Sequence, residues 1–135
     1  MRIVLDTNVI VAGLLAEGLC HEVVENHLPE HTAILSPKLW DELVGKLRDK
    51  FGLTPDDLPL LALYRRHATW VEPLPLGKPA CDPEDDWVLA TAVAGQAEVI
   101  VTGAGDLLEL GILGSVAILT PRQFIERLTA RGKGP

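Results

Sequence analysis

The chain has 135 residues, of which 47% are hydrophobic and 23% charged, the size and composition of one globular domain. Its formal net charge is −7, which argues against a general electrostatic grip on nucleic acid over the whole surface. An acidic excess can still be concentrated at one site that metal ions neutralise.

The cysteines and the apolar segments indicate where the protein resides. Cys20 and Cys81 lie far apart in the sequence, which favours reduced thiols over a disulfide framework or a zinc site. The longest apolar run, VIVAGLLA, is too short to cross a bilayer. The chain opens in an apolar strand without a basic leader. We therefore expect a cytoplasmic protein with no membrane contact.

Short apolar runs that are rich in Val and Ile predict the strands. These runs do not alternate with polar residues, which is typical of parallel strands covered on both faces. They are RIVL at 2–5, TAILS at 32–36, EVIVT at 98–102 and VAILT at 116–120.

Four helices are predicted to begin where a residue with a side-chain oxygen precedes a proline. The oxygen can accept a hydrogen bond from a free backbone amide, and proline suits the first helical position. The four pairs are Ser36-Pro37, Thr54-Pro55, Asp82-Pro83 and Thr120-Pro121. Gln123 completes a capping-box pattern after Thr120.

The order of these elements predicts a three-layer α/β/α fold with a central, mainly parallel sheet. We expect one domain over residues 1–129 and a flexible tail over residues 130–135.

Two acids follow predicted strands. Asp6 comes directly after the first strand, and Asp106 follows EVIVTGAG. Because ligands of open parallel sheets bind beyond the carboxyl ends of the strands, we expect both acids at one ligand-binding edge. The alternative for Asp6 is a helix cap, a role that Thr7 or Asn8 could fill equally well. The alternative for Asp106 is an acid in a loop or at a helix cap.

Asp86 is predicted to lie on the apolar face of a helix that begins at Pro83. A buried, unpaired carboxylate is costly, and no Lys or Arg occurs between Lys78 and Arg122. A metal ion is therefore a candidate partner for Asp86. The apolar residues assigned to the same face are Leu89, Ala90, Val93 and Ala97.

The neighbouring acids have a local explanation. Asp82 is the expected helix cap, and Glu84 and Asp85 favour the positive end of the helix dipole. Glu42 lies just outside the buried arc of the helix PKLWDELVGKLRDKF, where its side chain can lean over a cleft. The alternative for Glu42 is a surface ion pair with Lys46, four residues further along the helix.

Taken in order, these segments resemble a PIN-domain protein, of the subgroup described as VapC-type toxins of toxin–antitoxin systems. MRIVLDTNVIVAGLL is similar to the opening strand with its acid, and LSPKLWDELVGKL is similar to the segment that carries the second acid. DPEDDWVLATAVAGQAEVIVTG and VTGAGDLLEL are similar to the third and fourth acidic segments. ILTPRQFIERL resembles the closing strand and helix.

The resemblance implies a metal-dependent endoribonuclease that hydrolyses RNA phosphodiesters. It implies Mg²⁺ or Mn²⁺ as the cofactor, which suits clustered carboxylates. It also implies an RNA substrate, a homodimer and an antitoxin protein as partners. The implied catalytic residues are Asp6, Glu42, Asp86 and Asp106, with Asp6, Asp86 and Asp106 as metal ligands and Thr7 and Asn8 in support.

The chain departs from the family pattern at two positions. Ala104 stands where the fourth segment commonly carries an acid, which puts a second metal position or activity itself in doubt. Cys81 stands where a basic residue is frequent. Ala104 favours an alternative, a PIN-fold module that binds RNA or protein with weakened or lost catalysis. A third hypothesis is a phosphomonoester hydrolase with Asp6 as its nucleophile.

Four cations are candidate phosphate contacts, and solvated helix faces are the alternative for each. They are Arg65, Arg66, Lys46 and Lys50.

Overall fold

The structure is a computed structural model that describes residues 1–132, and it folds into a sheet flanked by helices. The strands are β1 Arg2–Leu5, β2 Thr32–Leu35, β3 Thr69–Trp70, β4 Val99–Val101, β5 Ile112–Leu113 and β6 Val116–Leu119. The α-helices are α1 Thr7–Leu15, α2 Leu19–Glu22, α3 Pro37–Phe51, α4 Pro59–His67, α5 Pro83–Ala94, α6 Gly105–Leu110 and α7 Pro121–Gly132. A π-helical turn covers Val23–His27, and 3₁₀ turns cover Leu28–Glu30 and Pro55–Asp57.

The six strands form one sheet in the order β3-β2-β1-β4-β6-β5. Every neighbouring pair is parallel except β5 and β6, so the prediction of a mainly parallel sheet is confirmed. The central strand β1 pairs with β2 on one side and with β4 on the other. The residues that follow these three strands therefore meet at the carboxyl edge of the sheet.

The sheet is buried on both faces, as the non-alternating apolar runs predict. Ile3, Val4 and Leu5 in β1 are all at most 1% exposed, although successive side chains of a strand point to opposite faces. The three-layer α/β/α prediction is confirmed. The core also includes Phe124 of α7, which is fully buried.

Capping residues begin several helices as expected. The Ser36 hydroxyl accepts a hydrogen bond from the Leu39 amide at the start of α3. Thr120 and Gln123 form the reciprocal capping box, with distances of 2.9 and 3.1 Å. Thr54 begins only a 3₁₀ turn, and the longer helix α4 starts at Pro59.

The carboxyl end of the chain is more helical than expected. Helix α7 extends to Gly132, so residues 130–132, which the sequence analysis placed in the tail, belong to this helix. The rest of the expected tail, residues 133–135, lies outside the described residues.

Across residues 1–132, no single helix is long and apolar enough to cross a membrane. Thr7–Leu15 and Leu19–Glu30 reach that length and composition only as a pair, and the two are bent by 99° relative to each other.

Candidate metal centre

Three carboxylates meet at the carboxyl edge of the sheet. Asp82 stands immediately before α5, Asp85 lies in the first turn of α5, and Asp106 lies in the first turn of α6. One carboxylate oxygen from each lies within 4.8 Å of the other two. Asp85 is partly buried, whereas Asp82 and Asp106 are exposed. The cluster therefore opens toward solvent and has its most enclosed member on α5.

Asp86 is not one of these three carboxylates, and its predicted role as a metal ligand stays a prediction. Its Oδ1 atom accepts hydrogen bonds from the backbone amides of Ala80 and Cys81, at 3.1 and 2.8 Å. Asp86 thus holds the loop that enters α5. Its carboxylate already has two hydrogen-bond donors, so it does not need a metal ion as a partner. Asp82 occupies the cap position as expected, but in the described structure its side chain makes no capping hydrogen bond.

The apolar face of α5 is displaced by one residue from its predicted position. Val93, which was assigned to the buried face with Asp86, is 57% exposed. The residues three, four and seven positions after Asp85 are Val88, Leu89 and Ala92, and each is at most 1% exposed. Counted from Asp86, the same three positions are Leu89 and Ala90, which are buried, and Val93, which is exposed, so Asp85 lies closer to the centre of the buried face.

Asp6 lies beside this cluster and is 3% exposed. Its Oδ2 atom accepts a hydrogen bond of 2.6 Å from the Thr102 hydroxyl, and its Oδ1 atom accepts one of 3.3 Å from the Asn8 amide. Asp6 is thus the cap of α1, the alternative that the sequence left open, and it also faces the ligand-binding edge. The Thr102 hydroxyl in turn accepts a hydrogen bond from the Ala104 amide.

Like charges converge on Asp85. Partial burial raises the pKa of the Asp85 carboxyl, and the negative charges of Asp6, Asp82, Asp106 and Glu84 raise it further. Asp6 and Asp106, which follow β1 and β4, therefore lie close enough to act on the same group. The prediction that these two acids share one edge of the sheet agrees with this arrangement.

Glu42 sits in a polar network next to the acids. Its Oε1 atom lies 2.8 Å from Lys46 Nζ and accepts a hydrogen bond from the Thr7 hydroxyl. Lys46 also donates to Thr7 and to the Asn8 side chain, each at 3.0 Å. Burial raises the pKa of the Glu42 carboxyl, while Lys46 opposes that rise.

The pairing of Glu42 with Lys46 that the sequence offered as an alternative is present, but it is not a surface pair. The side chains of Lys46 and Glu42 are only 16% and 15% exposed. Through this pair and Thr7, helix α3 is tied to the first turn of α1, next to Asp6. Lys46 is therefore engaged within the protein, whereas Lys50 is exposed near the end of α3.

Both positions that depart from the family pattern border the cluster. Cys81 donates a weak hydrogen bond to the Asp106 carbonyl, with a distance of 3.9 Å. Burial raises the pKa of the Cys81 thiol, and the surrounding aspartates raise it further. Ala104 caps α6 and adds no side-chain ligand. Both cysteines are free thiols, as expected.

The carboxylate oxygens suit Mg²⁺ or Mn²⁺. These hard cations prefer oxygen ligands, and octahedral coordination at about 2.0–2.1 Å places neighbouring ligand atoms roughly 3 Å apart and opposite ones about 4 Å apart. One oxygen each from Asp82, Asp85 and Asp106 lies within 4.8 Å of the others, so modest side-chain adjustment would bring all three onto one ion. The absence of a thiolate or imidazole in this group argues against a zinc preference.

Sequence reasoning did not single out two acids and one hydroxyl of the candidate site. Asp82 and Asp85 were explained as local features of the helix start, although Asp85 has buried apolar residues at the three positions that mark its face. Thr102 was treated only as the end of a strand. The available signal was its place directly after β4, which pairs with β1, the strand that Asp6 follows.

A buried acid follows the central strand, and further acids lie at the start of two neighbouring helices, so this edge of the α/β sheet carries a group of carboxylates that could hold a metal ion. The chain belongs to the PIN domain family, which it matches over residues 2–104. PIN domains are generally nucleases and typically bind divalent metals. The match ends at Ala104, so Asp106 lies just beyond it. A comparison with curated proteins found no match.

Proposed function

We propose that this protein is a metal-dependent endoribonuclease whose ion is held by Asp82, Asp85 and Asp106. The observation that carries the proposal is the mutual approach of three carboxylates within 4.8 Å, beside a fourth that is 3% exposed. Bringing like charges together costs free energy in the absence of a cation, so the arrangement favours an ion as its partner. When bound, Mg²⁺ or Mn²⁺ supplies a Lewis acid that activates water and stabilises the charge developing on a phosphodiester.

The chain's own residues give this site its shape. Thr102 and the Asn8 amide fix the carboxylate of Asp6, so its orientation does not depend on the ion. The amides of Ala80 and Cys81 hold Asp86, which sets the start of α5 and with it the position of Asp85. Glu42 and Lys46 form one wall of the site and are already paired with each other.

The test is RNA cleavage by the purified protein with Mn²⁺, with Mg²⁺ and with a chelator. We expect Asp85→Asn to reduce the metal-dependent rate by at least about 100-fold, since even residues that only support a metal ligand cost 10–100-fold. The matched control is Glu126→Gln, which removes the same charge from an exposed position on α7 and should cleave like wild type. Cleavage by Asp85→Asn at the wild-type rate would overturn the proposal.

A second variant separates Asp85 from its neighbour. Asp86→Asn removes the acceptor of two backbone amides, so we expect it to lower the melting temperature. At a temperature where the variant is still folded, its metal-dependent cleavage should exceed that of Asp85→Asn. If Asp86→Asn lost cleavage completely while Asp85→Asn kept it, Asp86 would be the ligand, as the sequence analysis expected.

Ala104 favours a second candidate, a PIN-fold module that binds RNA or a protein without cleaving it. Wild-type protein that bound RNA but left it intact with either metal would support this candidate. The phosphomonoesterase hypothesis is weaker, because both oxygens of Asp6 already accept hydrogen bonds.

We further propose a cytoplasmic toxin that acts as a homodimer and is neutralised by an antitoxin protein. The family resemblance is the support for these roles. Arrest of growth on expression, relieved by a co-expressed partner from the neighbouring open reading frame, would test the toxin role. Sedimentation of the purified chain would test the dimer.

A further inference from the structure

Aromatic and cationic side chains gather at the carboxyl edge of the sheet, mainly on the side of β2 and β3. The chain has only three tryptophans, and each lies near the carboxyl edge of the sheet. Trp70 ends β3, Trp40 lies in the first turn of α3 directly after β2, and Trp87 follows Asp85 by two residues on α5. Their positions coincide with the edge that carries the acids, although the function proposed above uses none of them.

Trp40 and Trp70 form a fixed pair. Their ring centroids are 6.2 Å apart with an interplanar angle of 62°. The Arg65 guanidinium lies 5.0 Å from the centroid of Trp40, and the Trp70 indole nitrogen donates to the Arg65 carbonyl at 3.2 Å. The orientation of Trp70 is therefore set by contacts within the protein.

Trp70 nevertheless presents a surface to solvent. Its side chain is 41% exposed, an unusual state for the largest apolar side chain. It borders an open cleft of about 570 Å³ that Trp40, Arg65, Arg66 and Asp56 also line. Both arginines are exposed, and Asp56 is the one acid among these lining residues.

A second cation lies over a second indole on the other side of α3. Lys38 Nζ is 4.8 Å from the centroid of Trp87. Lys38 and Trp40 are two residues apart at the start of α3, so the two aromatic–cation pairs flank the same helix end. Helix α3 continues to Glu42 and Lys46, which contact Thr7 and Asn8 beside Asp6.

We propose that Trp70, with Arg65 and Arg66, forms a stacking platform that binds a base and the adjoining phosphates of single-stranded RNA. This proposal rests on the function proposed above and names the form of its substrate. An indole face stacks on any base, and guanidinium groups pair with phosphate. A duplex keeps its base faces covered by its own stacking, so it cannot use such a platform. The concentration of arginine here, on a chain of net charge −7, favours a polyanion as the occupant.

The test measures binding apart from cleavage. A short fluorescein-labelled oligouridylate is titrated with wild-type protein and variants in a buffer containing a chelator, and fluorescence anisotropy gives the Kd. We expect Trp70→Ala to raise the Kd by about 5- to 100-fold, the effect of losing one stacked base. Trp70→Phe keeps an aromatic face and should recover most of the affinity. The same sequence in a duplex should bind more weakly than the single strand.

Two further variants sharpen the result. Arg66→Gln should raise the Kd and make the dependence of log Kd on log salt concentration shallower by about 0.7, the contribution of one phosphate contact to a single strand. Leu63→Ala removes an exposed apolar side chain from the same helix as Arg65 and Arg66 and should leave the Kd unchanged.

The outcomes distinguish this proposal from the preceding one. A Kd for Trp70→Ala equal to that of wild type, or duplex binding as tight as single-strand binding, would overturn the platform and leave the nuclease proposal standing. Asp85→Asn should bind the oligonucleotide at least as tightly as wild type while losing cleavage. If Asp85→Asn cleaved normally, the metal site would be wrong and the platform would remain. If Trp70→Ala failed to fold, Trp70→Phe and Arg66→Gln would decide the result.

Discussion

At the scale of single residues, the site depends on a hydroxyl that carries no charge. Thr102 accepts a hydrogen bond from the Ala104 amide and donates one to a buried carboxylate, Asp6. It is itself fully buried. A hydrogen bond to a charged group is stronger than one between neutral groups, so this single hydroxyl holds the Asp6 carboxylate firmly in one orientation.

Thr102→Val tests this role, since valine has nearly the same shape but no hydroxyl. We expect it to lower the free energy of unfolding by about 2 kcal/mol, because it leaves the buried Oδ2 atom of Asp6 and the Ala104 amide without their hydrogen bonds to the Thr102 hydroxyl. The control is Thr129→Val, which removes an exposed hydroxyl on α7 and should cost less than about 0.5 kcal/mol. Urea denaturation measures both. Equal losses of unfolding free energy in the two variants would show that the Thr102 hydroxyl stabilises the fold no more than an exposed hydroxyl does.

Tyr64 carries a buried polar atom that, unlike the Thr102 hydroxyl, is not satisfied. Its hydroxyl is buried, and among residues 1–132 it has no hydrogen-bond partner. Burial raises the pKa of this phenol well above its ordinary value. The ring borders a largely apolar cleft of about 490 Å³. Nothing in the structure shows what fills that cleft, so the hydroxyl remains a cost to folding that no described contact offsets.

At the scale of elements, the close approach of one helix to another determines where glycine is required. A Cβ atom at Gly13 in α1 would lie 2.7 Å from the Cys20 carbonyl oxygen and 2.8 Å from Val24 Cγ2. This glycine therefore lets α1 pack tightly on α2 and on the π-helical turn that follows. At Gly45 in α3 the nearest atom to such a Cβ would be Arg48 Nη2, at 3.9 Å.

Alanine at these two glycines should have opposite effects. We expect Gly13→Ala to destabilise the protein by about 1–3 kcal/mol, because the neighbouring backbone must shift to admit the methyl group. Gly45→Ala should stabilise it by about 0.5–1 kcal/mol, since alanine loses less backbone entropy in a helix and meets no obstacle here. Thermal unfolding followed by circular dichroism compares them. A stabilising Gly13→Ala would contradict the close approach.

The elements also show how far the sequence could predict this structure. The four apolar strands of three or four residues and the Thr120 capping box could be predicted, because the residues that form each of them are neighbours in the sequence. Strands β3 and β5 have two residues each, too few to show any periodicity, and were missed. The positions of Asp6 and Asp106 at the carboxyl edge of the sheet could be predicted because each acid comes shortly after a strand, and their roles in the candidate site stay predictions.

Helix α5 shows why the sequence could not decide between Asp85 and Asp86 as the third acid. Its residues from Val88 to Ala92 are all buried in succession, so its apolar pattern surrounds the helix and does not fix which face meets the sheet. A pattern of that kind cannot distinguish Asp85 from Asp86. Only packing against β1, β2 and β4, which brings the helix to a definite rotation, separates the two.

At the scale of the whole molecule, the acid site links folding to pH and to metal. A carboxyl whose pKa is higher in the folded protein binds more protons than its unfolded counterpart between the two pKa values. Stability therefore falls as pH rises through that interval. Asp85 and Glu42 both have a raised pKa, so each makes the metal-free protein less stable at neutral pH than near its folded-state pKa.

We expect metal-free Asp85→Asn to be more stable than wild type at neutral pH, by about 1 kcal/mol or less, which is typical of partly exposed charges. The difference should shrink as pH falls through the raised pKa of the wild-type Asp85 carboxyl, where that group takes up its proton. Comparing the two proteins isolates Asp85 from Asp49, whose pKa is lowered by Arg48 and whose effect has the opposite sign.

Metal should reverse the order of stability, so that wild type becomes more stable than Asp85→Asn. An ion present at about 100 times its Kd adds about 2.7 kcal/mol to wild type, and Asp85→Asn should gain little of this. Urea denaturation with a chelator and with Mn²⁺, each at neutral and at acidic pH, gives the free energies of unfolding of both proteins. A variant that is less stable than metal-free wild type at neutral pH would contradict the repulsion among these acids.

The sheet is bounded on both sides by its shortest strands, β3 and β5. Each offers a neighbouring chain only two residues of backbone to pair with, whereas a continuous sheet between two molecules needs a longer open edge. Strand addition and edge-to-edge aggregation are therefore disfavoured at both ends of the sheet. We therefore expect that any contact with a second copy of this chain, or with a partner protein, uses helices and side chains and does not extend the sheet.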